Sequence, residues 1–134
     1  MLQKLTLNEL IYHLLKEKQV SPSAIFYFSF DDLSLRHKLA DSFSSFIKIV
    51  EKILGGNIAS FGRLWFFIDE TQKVPGFVEY VKSLFDTGFP AKWMLTGSSA
   101  IELMSQMRES LAGRVTHLPL YPFSEQEVLR VRGI

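Results

Sequence analysis

Residues 64–70 read Leu64-Trp65-Phe66-Phe67-Ile68-Asp69-Glu70, five consecutive apolar side chains and then two acids. An apolar run without polar alternation is the pattern of a parallel strand covered on both faces, ending where the acids begin. Outward from this stretch, strand and helix signatures alternate. Upstream, Ile25-Phe26-Tyr27-Phe28-Ser29-Phe30 reads as a strand, and downstream so does Lys92-Trp93-Met94-Leu95-Thr96. Between the first two, a helix is expected from about Arg36, with Leu39, Phe43, Phe46, Ile47, Val50, Ile53 and Leu54 as its stripe and Gly55-Gly56 as its stop. Pro75-Gly76 opens another, with Phe77, Tyr80, Val81, Leu84 and Phe85 inward and its end near Gly88. Leu7, Leu10, Ile11, Leu14 and Leu15 share one face of a first helix, and Thr6 with Glu9 reads as its capping box.

Beyond Thr96, Gly97-Ser98-Ser99 leads into a helix through about Met104, and a short strand is expected over residues 115–118. Ser124 and Glu127 form the capping box of a last helix. Strands each followed by a helix imply right-handed crossovers and a parallel α/β sheet with helices on both faces.

The chain of 134 residues has room for one domain. Twelve phenylalanines predict a core filled largely by rings. With no cysteine, disulfide frameworks and thiolate zinc sites are excluded. Fifteen basic and fourteen acidic side chains leave a formal charge of +1, which argues against gripping nucleic acid by net charge, although a local patch leaves that partner open. The run Leu64 to Ile68 is far short of the roughly 20 residues a membrane span needs. No basic-then-apolar leader opens the chain, so the expectation is a cytoplasmic protein without a membrane partner.

In open α/β sheets, ligands bind beyond the carboxyl ends of the strands. Asp69-Glu70 at such an end has the form of a Walker B motif: one carboxylate holds Mg²⁺ through water and the next orients or deprotonates an attacking water. The plainer alternative is a pair of acids opening a solvated loop. Thr96-Gly97-Ser98-Ser99 ends the neighbouring strand about 27 residues later, where a hydroxyl can polarise water or touch a γ-phosphate, or merely cap the next helix. Arg114, in Leu111-Ala112-Gly113-Arg114, is positioned for a phosphate contact or for a surface salt bridge. Asp31-Asp32 ends another strand, so a metal-dependent nuclease using Asp31, Asp69 and Glu70 is a further reading. His13, His37 and His117 have no ligand spacing between any two, and no Gly-x-Ser-x-Gly elbow supports a serine hydrolase.

Together, "WFFIDETQKVPGF", "WMLTGSSA" and "LAGRVTHLPLYPFSEQEVL" resemble the core of prokaryotic AAA+ P-loop ATPases, of the kind in which a domain of unknown function follows that core. The resemblance covers nearly all of the chain and is most specific from Leu64 to Leu129. It implies a P-loop NTPase sheet with strand order 5-1-4-3-2, and ATP with Mg²⁺ as cofactors of the complete protein. It further implies Asp69 and Thr96 as nucleotide-site residues, Asp69 on Mg²⁺ through water, and Glu70, Ser98 and Arg114 as catalytic.

The departure from that family is a missing G-x-x-x-x-G-K-[ST] loop, for which only Lys4 and Thr6 remain as vestiges. Without its glycines, the backbone cannot close around phosphate oxygens. The expectation is therefore a partial AAA+ core over residues 1–134, with strands 2 to 5 present and the central first strand and helical lid absent. Such a chain alone binds no ATP, and self-association or another chain fills the slot between strands 4 and 5. The alternative is a non-catalytic, ATPase-derived protein-interaction module.

Overall fold

A computed structural model describes the backbone of residues 2–97 together with Gly113 and Thr116, and side chains from Leu7 onward. Three strands form the described sheet: β1 (Ile25–Ser29), β2 (Leu64–Asp69) and β3 (Ala91–Leu95). Their order is β1-β2-β3, with β2 parallel to both neighbours. This is the order expected for strands 2, 3 and 4 of the P-loop NTPase sheet. Apart from the Thr116 backbone, the strand expected over residues 115–118, the helices expected after Gly97 and the expected slot beside β3 lie outside the described residues.

Register decides which residues share a face. Ser29 pairs with Asp69, and Ile68 pairs with Leu95. Because side chains alternate along a strand, Leu64, Phe66 and Ile68 point to one face while Trp65, Phe67 and Asp69 point to the other. The first face carries α2 (Leu33–Asp41), α3 (Ser44–Leu54) and α4 (Phe77–Asp86). Leu39, Phe46, Val50, Phe77 and Val81 bury against Phe26, Leu64, Phe66 and Ile68 there. The ring-rich core is present as expected: Phe66 stacks on Trp93 at 4.5 Å between centroids and on Phe26 at 5.3 Å. The opposite face is covered by α1 (Leu2–Lys16), whose Leu7 and Leu14 bury with Phe67. The result is three layers, as the apolar run of β2 requires.

Four details differ from the sequence reading. The α1 helix begins at Leu2, so Thr6 and Glu9 lie within it and form no capping box; no helix breaker precedes Thr6, and good helix formers continue the turn toward the N-terminus. Lys4 and Thr6 accordingly belong to helix rather than to a phosphate loop. The single helix expected over residues 36–54 is two, because Ser42 is extended and its Oγ accepts from the Ser44 N–H at 3.2 Å, competing with the helical ladder. After that break the apolar stripe is re-phased, and Ile53 is 62% exposed. Leu10 and Phe85, expected inward, are also exposed, since Leu7/Leu14 and Phe77/Val81 already fill their shared faces.

Two glycines meet definite backbone demands. Gly55 ends α3 at φ 75°, its N–H bonded to the Glu51 carbonyl, as its place after the stripe predicts. Gly76 opens α4 at φ 85°, where a Cβ would also come 3.3 Å from the Phe43 ring.

Candidate functional site at the carboxyl rim

The ladder between β2 and β3 continues past the regular strands. Thr96 N–H donates to the Ile68 carbonyl at 2.9 Å, and Thr71 N–H donates to the Thr96 carbonyl at 2.9 Å. On the other side, Phe30 N–H donates to the Asp69 carbonyl at 3.0 Å. The ends of all three described strands are thereby fixed side by side, with Asp69 in the middle.

Asp69 is 8% exposed. Burying a carboxylate is costly unless donors replace its water. Three do so here. Oδ1 accepts from Thr96 Oγ1 at 2.8 Å and from the Glu70 N–H at 3.1 Å, and Oδ2 accepts from the Tyr27 hydroxyl at 3.3 Å. Burial, and then the Asp69 charge, push the Tyr27 phenol up to about 12, so it stays a neutral donor. Oδ1 is saturated by two donors, whereas Oδ2 keeps a lone pair for a further partner.

Glu70 turns the chain out of β2 in the left-handed region, φ 56° and ψ 44°. For a residue other than glycine this backbone costs about 1–2 kcal/mol. The short 3₁₀ turn Thr71–Lys73 follows at once, with Thr71 fully buried and its Oγ1 donating to the Ile68 carbonyl at 3.3 Å. Gln72 Nε2 donates to Glu70 Oε2 at 2.8 Å, and Lys73 Nζ stands 4.0 Å from the same oxygen. Lys73 also pairs with Asp31.

Asp69, Glu70 and Thr96 thus meet at one rim. Ser98 and Arg114 lie outside the described residues. Asp32, on the same rim, caps α2 by accepting from the Ser34 and Leu35 N–H groups. With Asp31 paired to Lys73 and Asp32 spent as a cap, no group of three or more acids or histidines suited to a metal is found among the described residues. Sequence reasoning did not single out Tyr27 or Lys73. The signal for Tyr27 was available: it is the one hydroxyl-bearing ring of its strand, two residues before the end, on the parity that shares a face with Asp69.

An AAA domain family model matches residues 6–129. The chain belongs to the AAA domain family. An uncharacterized protein of Methanocaldococcus jannaschii is 36% identical to this AAA domain over 131 residues, covering 96% of the chain and 25% of that relative. An uncharacterized protein of Haemophilus influenzae is 25% identical over 120 residues, covering 90% of the chain and 28% of the relative. The AAA domain therefore spans about a quarter of the length of the curated relatives it matches. No solved structure matches it. No described helix is long and apolar enough to cross a membrane.

The AAA family uses ATP and Mg²⁺, and the rim can be tested against both. The donor set fits a hydrated divalent cation, because Asp69 is held rigid and Oδ2 retains acceptor capacity. It does not supply a phosphate cradle, since these 134 residues contain no glycine-rich loop.

Proposed function

We propose that this AAA domain is the Walker B and sensor-bearing part of an ATP-hydrolysing core. The observation that carries the reading is Asp69, buried at the end of β2 and clamped by the Thr96 hydroxyl from the end of β3. In this reading Asp69 holds, through water, the Mg²⁺ that neutralises phosphate charge when nucleotide is bound. Glu70 takes the proton of the attacking water, and must release Gln72 to do so. Thr96 fixes the Asp69 carboxylate. Ser98 senses the γ-phosphate, and Arg114 contacts phosphate in its own or a neighbouring subunit.

The phosphate loop has to come from residues outside these 134, and the isolated chain is inactive. Partner contact is expected at the slot beside β3. Self-association or a supplied segment would fill that slot. The second reading, a non-catalytic interaction module in the cytoplasm, draws on the same missing loop.

The test is Glu70→Gln in a complete polypeptide that carries a phosphate loop. Nucleotide binding is retained while hydrolysis falls by orders of magnitude. Equal turnover by the variant removes Glu70 from the reaction and favours the interaction module.

A further inference from the structure

The donors that hold Asp69 do not divide evenly between its oxygens. Thr96 Oγ1 and the Glu70 N–H both donate to Oδ1, at 2.8 and 3.1 Å. Donors converging on one oxygen fix a point and leave the other oxygen able to swing about it. A donor on the second oxygen fixes the plane of the carboxylate. Among the described residues, that donor is the Tyr27 hydroxyl, 3.3 Å from Oδ2. Tyr27 is well placed to hold still. It pairs in register with Phe67, two residues before Asp69 and on the same face of the sheet. There it packs against the cluster of Leu7, Leu14 and Phe67 beneath α1. The body of the side chain is thus held between sheet and helix, and its polar end reaches the rim. A group whose rotamer is locked by packing holds its hydrogen-bond partner more firmly than a free one does.

We propose that Tyr27 is a positioning residue for the divalent-cation site: it fixes the plane of the Asp69 carboxylate, so that the open lone pair of Oδ2 is offered in one direction. The inference rests on the reading of Asp69 as the acid that holds hydrated Mg²⁺. Tyr27 acts only through Asp69 and is not itself a ligand. Removing a hydrogen-bond partner of a metal-binding carboxylate typically lowers metal affinity by about 10–100-fold. Asp69 holds the cation through water, so Tyr27 stands one shell further out and the lower end of that range applies.

The experiment uses Tyr27→Phe, which keeps the packed ring and removes only the hydroxyl, in two measurements. Crystal structures of the 134-residue chain and of the variant report the carboxylate directly. Oδ1 is expected to stay on Thr96 in both, with Oδ2 displaced or split between two orientations only in the variant. An unchanged carboxylate plane overturns the proposal. So does an unaltered chain in which the Tyr27 hydroxyl lies out of reach of Asp69, a result that needs no variant to fold. The second measurement is ATP binding, not turnover, by a complete polypeptide that carries a phosphate loop, titrated with Mg²⁺. Tyr27→Phe is expected to raise the half-saturating Mg²⁺ about tenfold while binding at saturating Mg²⁺ is recovered. A uniform loss at every Mg²⁺ concentration, or no shift, overturns the positioning role. Asp69→Asn separates the two readings. If it abolishes the Mg²⁺ dependence while Tyr27→Phe leaves it intact, Tyr27 fails and Asp69 stands; if it too leaves the dependence intact, both fail.

Discussion

Thr96 Oγ1 donates to Asp69 Oδ1 at 2.8 Å, so the end of β3 holds the carboxylate that ends β2. The two residues are 27 positions apart in sequence and meet because parallel pairing places Leu95 beside Ile68. One hydrogen bond thus joins what the sequence presents as two separate motifs.

Removing that hydroxyl leaves a buried carboxylate short of a donor. Thr96→Val is expected to destabilise the chain by about 1–3 kcal/mol, whereas Thr96→Ser, which keeps the donor, is expected to lose less. Urea unfolding of the two variants measures the difference. Equal stabilities would mean that the hydroxyl contributes nothing to holding Asp69.

Tyr27 yields a pH prediction. Its phenol is pushed up to about 12, first by burial and then by Asp69. The unfolded value lies near 10, so the fold favours the neutral phenol. That stabilisation is complete below about pH 10 and is lost as the pH climbs through about 12. In Tyr27→Phe this part of the alkaline decline is missing. Asp69→Asn lowers the phenol only part of the way, because burial remains. Ultraviolet titration of phenolate absorbance follows both changes; a Tyr27 that ionises with exposed tyrosines contradicts the contact with Asp69.

The sheet and its packing were legible because they depend on local patterns. The apolar run of β2 called for cover on both faces, and α1 on one side with α2–α4 on the other provides it. The break at Ser42 was hidden, since the apolar spacing runs on across it and only the Ser42–Ser44 hydrogen bond shows that the ladder stops. Residue types and order also placed Asp69, Glu70 and Thr96 together at the carboxyl rim. The clamp itself was not legible: which oxygen accepts which donor depends on strand register. The pairing of Lys73 with Asp31 likewise joins two loops that only the β1–β2 pairing brings together.

The ring core gives a stability prediction. Phe66 is fully buried and contacts Phe26, Phe46, Phe89 and Trp93. Phe66→Ala is expected to cost about 3–5 kcal/mol, a large share of the roughly 5–15 kcal/mol that keeps a small domain folded. Thermal unfolding followed by circular dichroism measures it. A loss below about 1 kcal/mol would contradict the packing, because no neighbour can fill such a void without moving a strand.

Arg114, like Ser98, is a catalytic candidate outside the described residues. In a complete protein that hydrolyses ATP, Arg114→Ala is expected to abolish turnover while leaving the circular dichroism spectrum and unfolding midpoint unchanged. Unchanged turnover would reduce Arg114 to a surface residue.

On the proposed reading the 134 residues carry a Walker B rim and, with no glycine-rich loop in the sequence, no phosphate cradle. Calorimetric titration of the isolated chain with ATP and Mg²⁺ at micromolar protein tests it most directly. No saturable heat is expected. Tight, stoichiometric binding by the chain alone would contradict it, and would require a phosphate site other than the glycine loop that this sequence lacks.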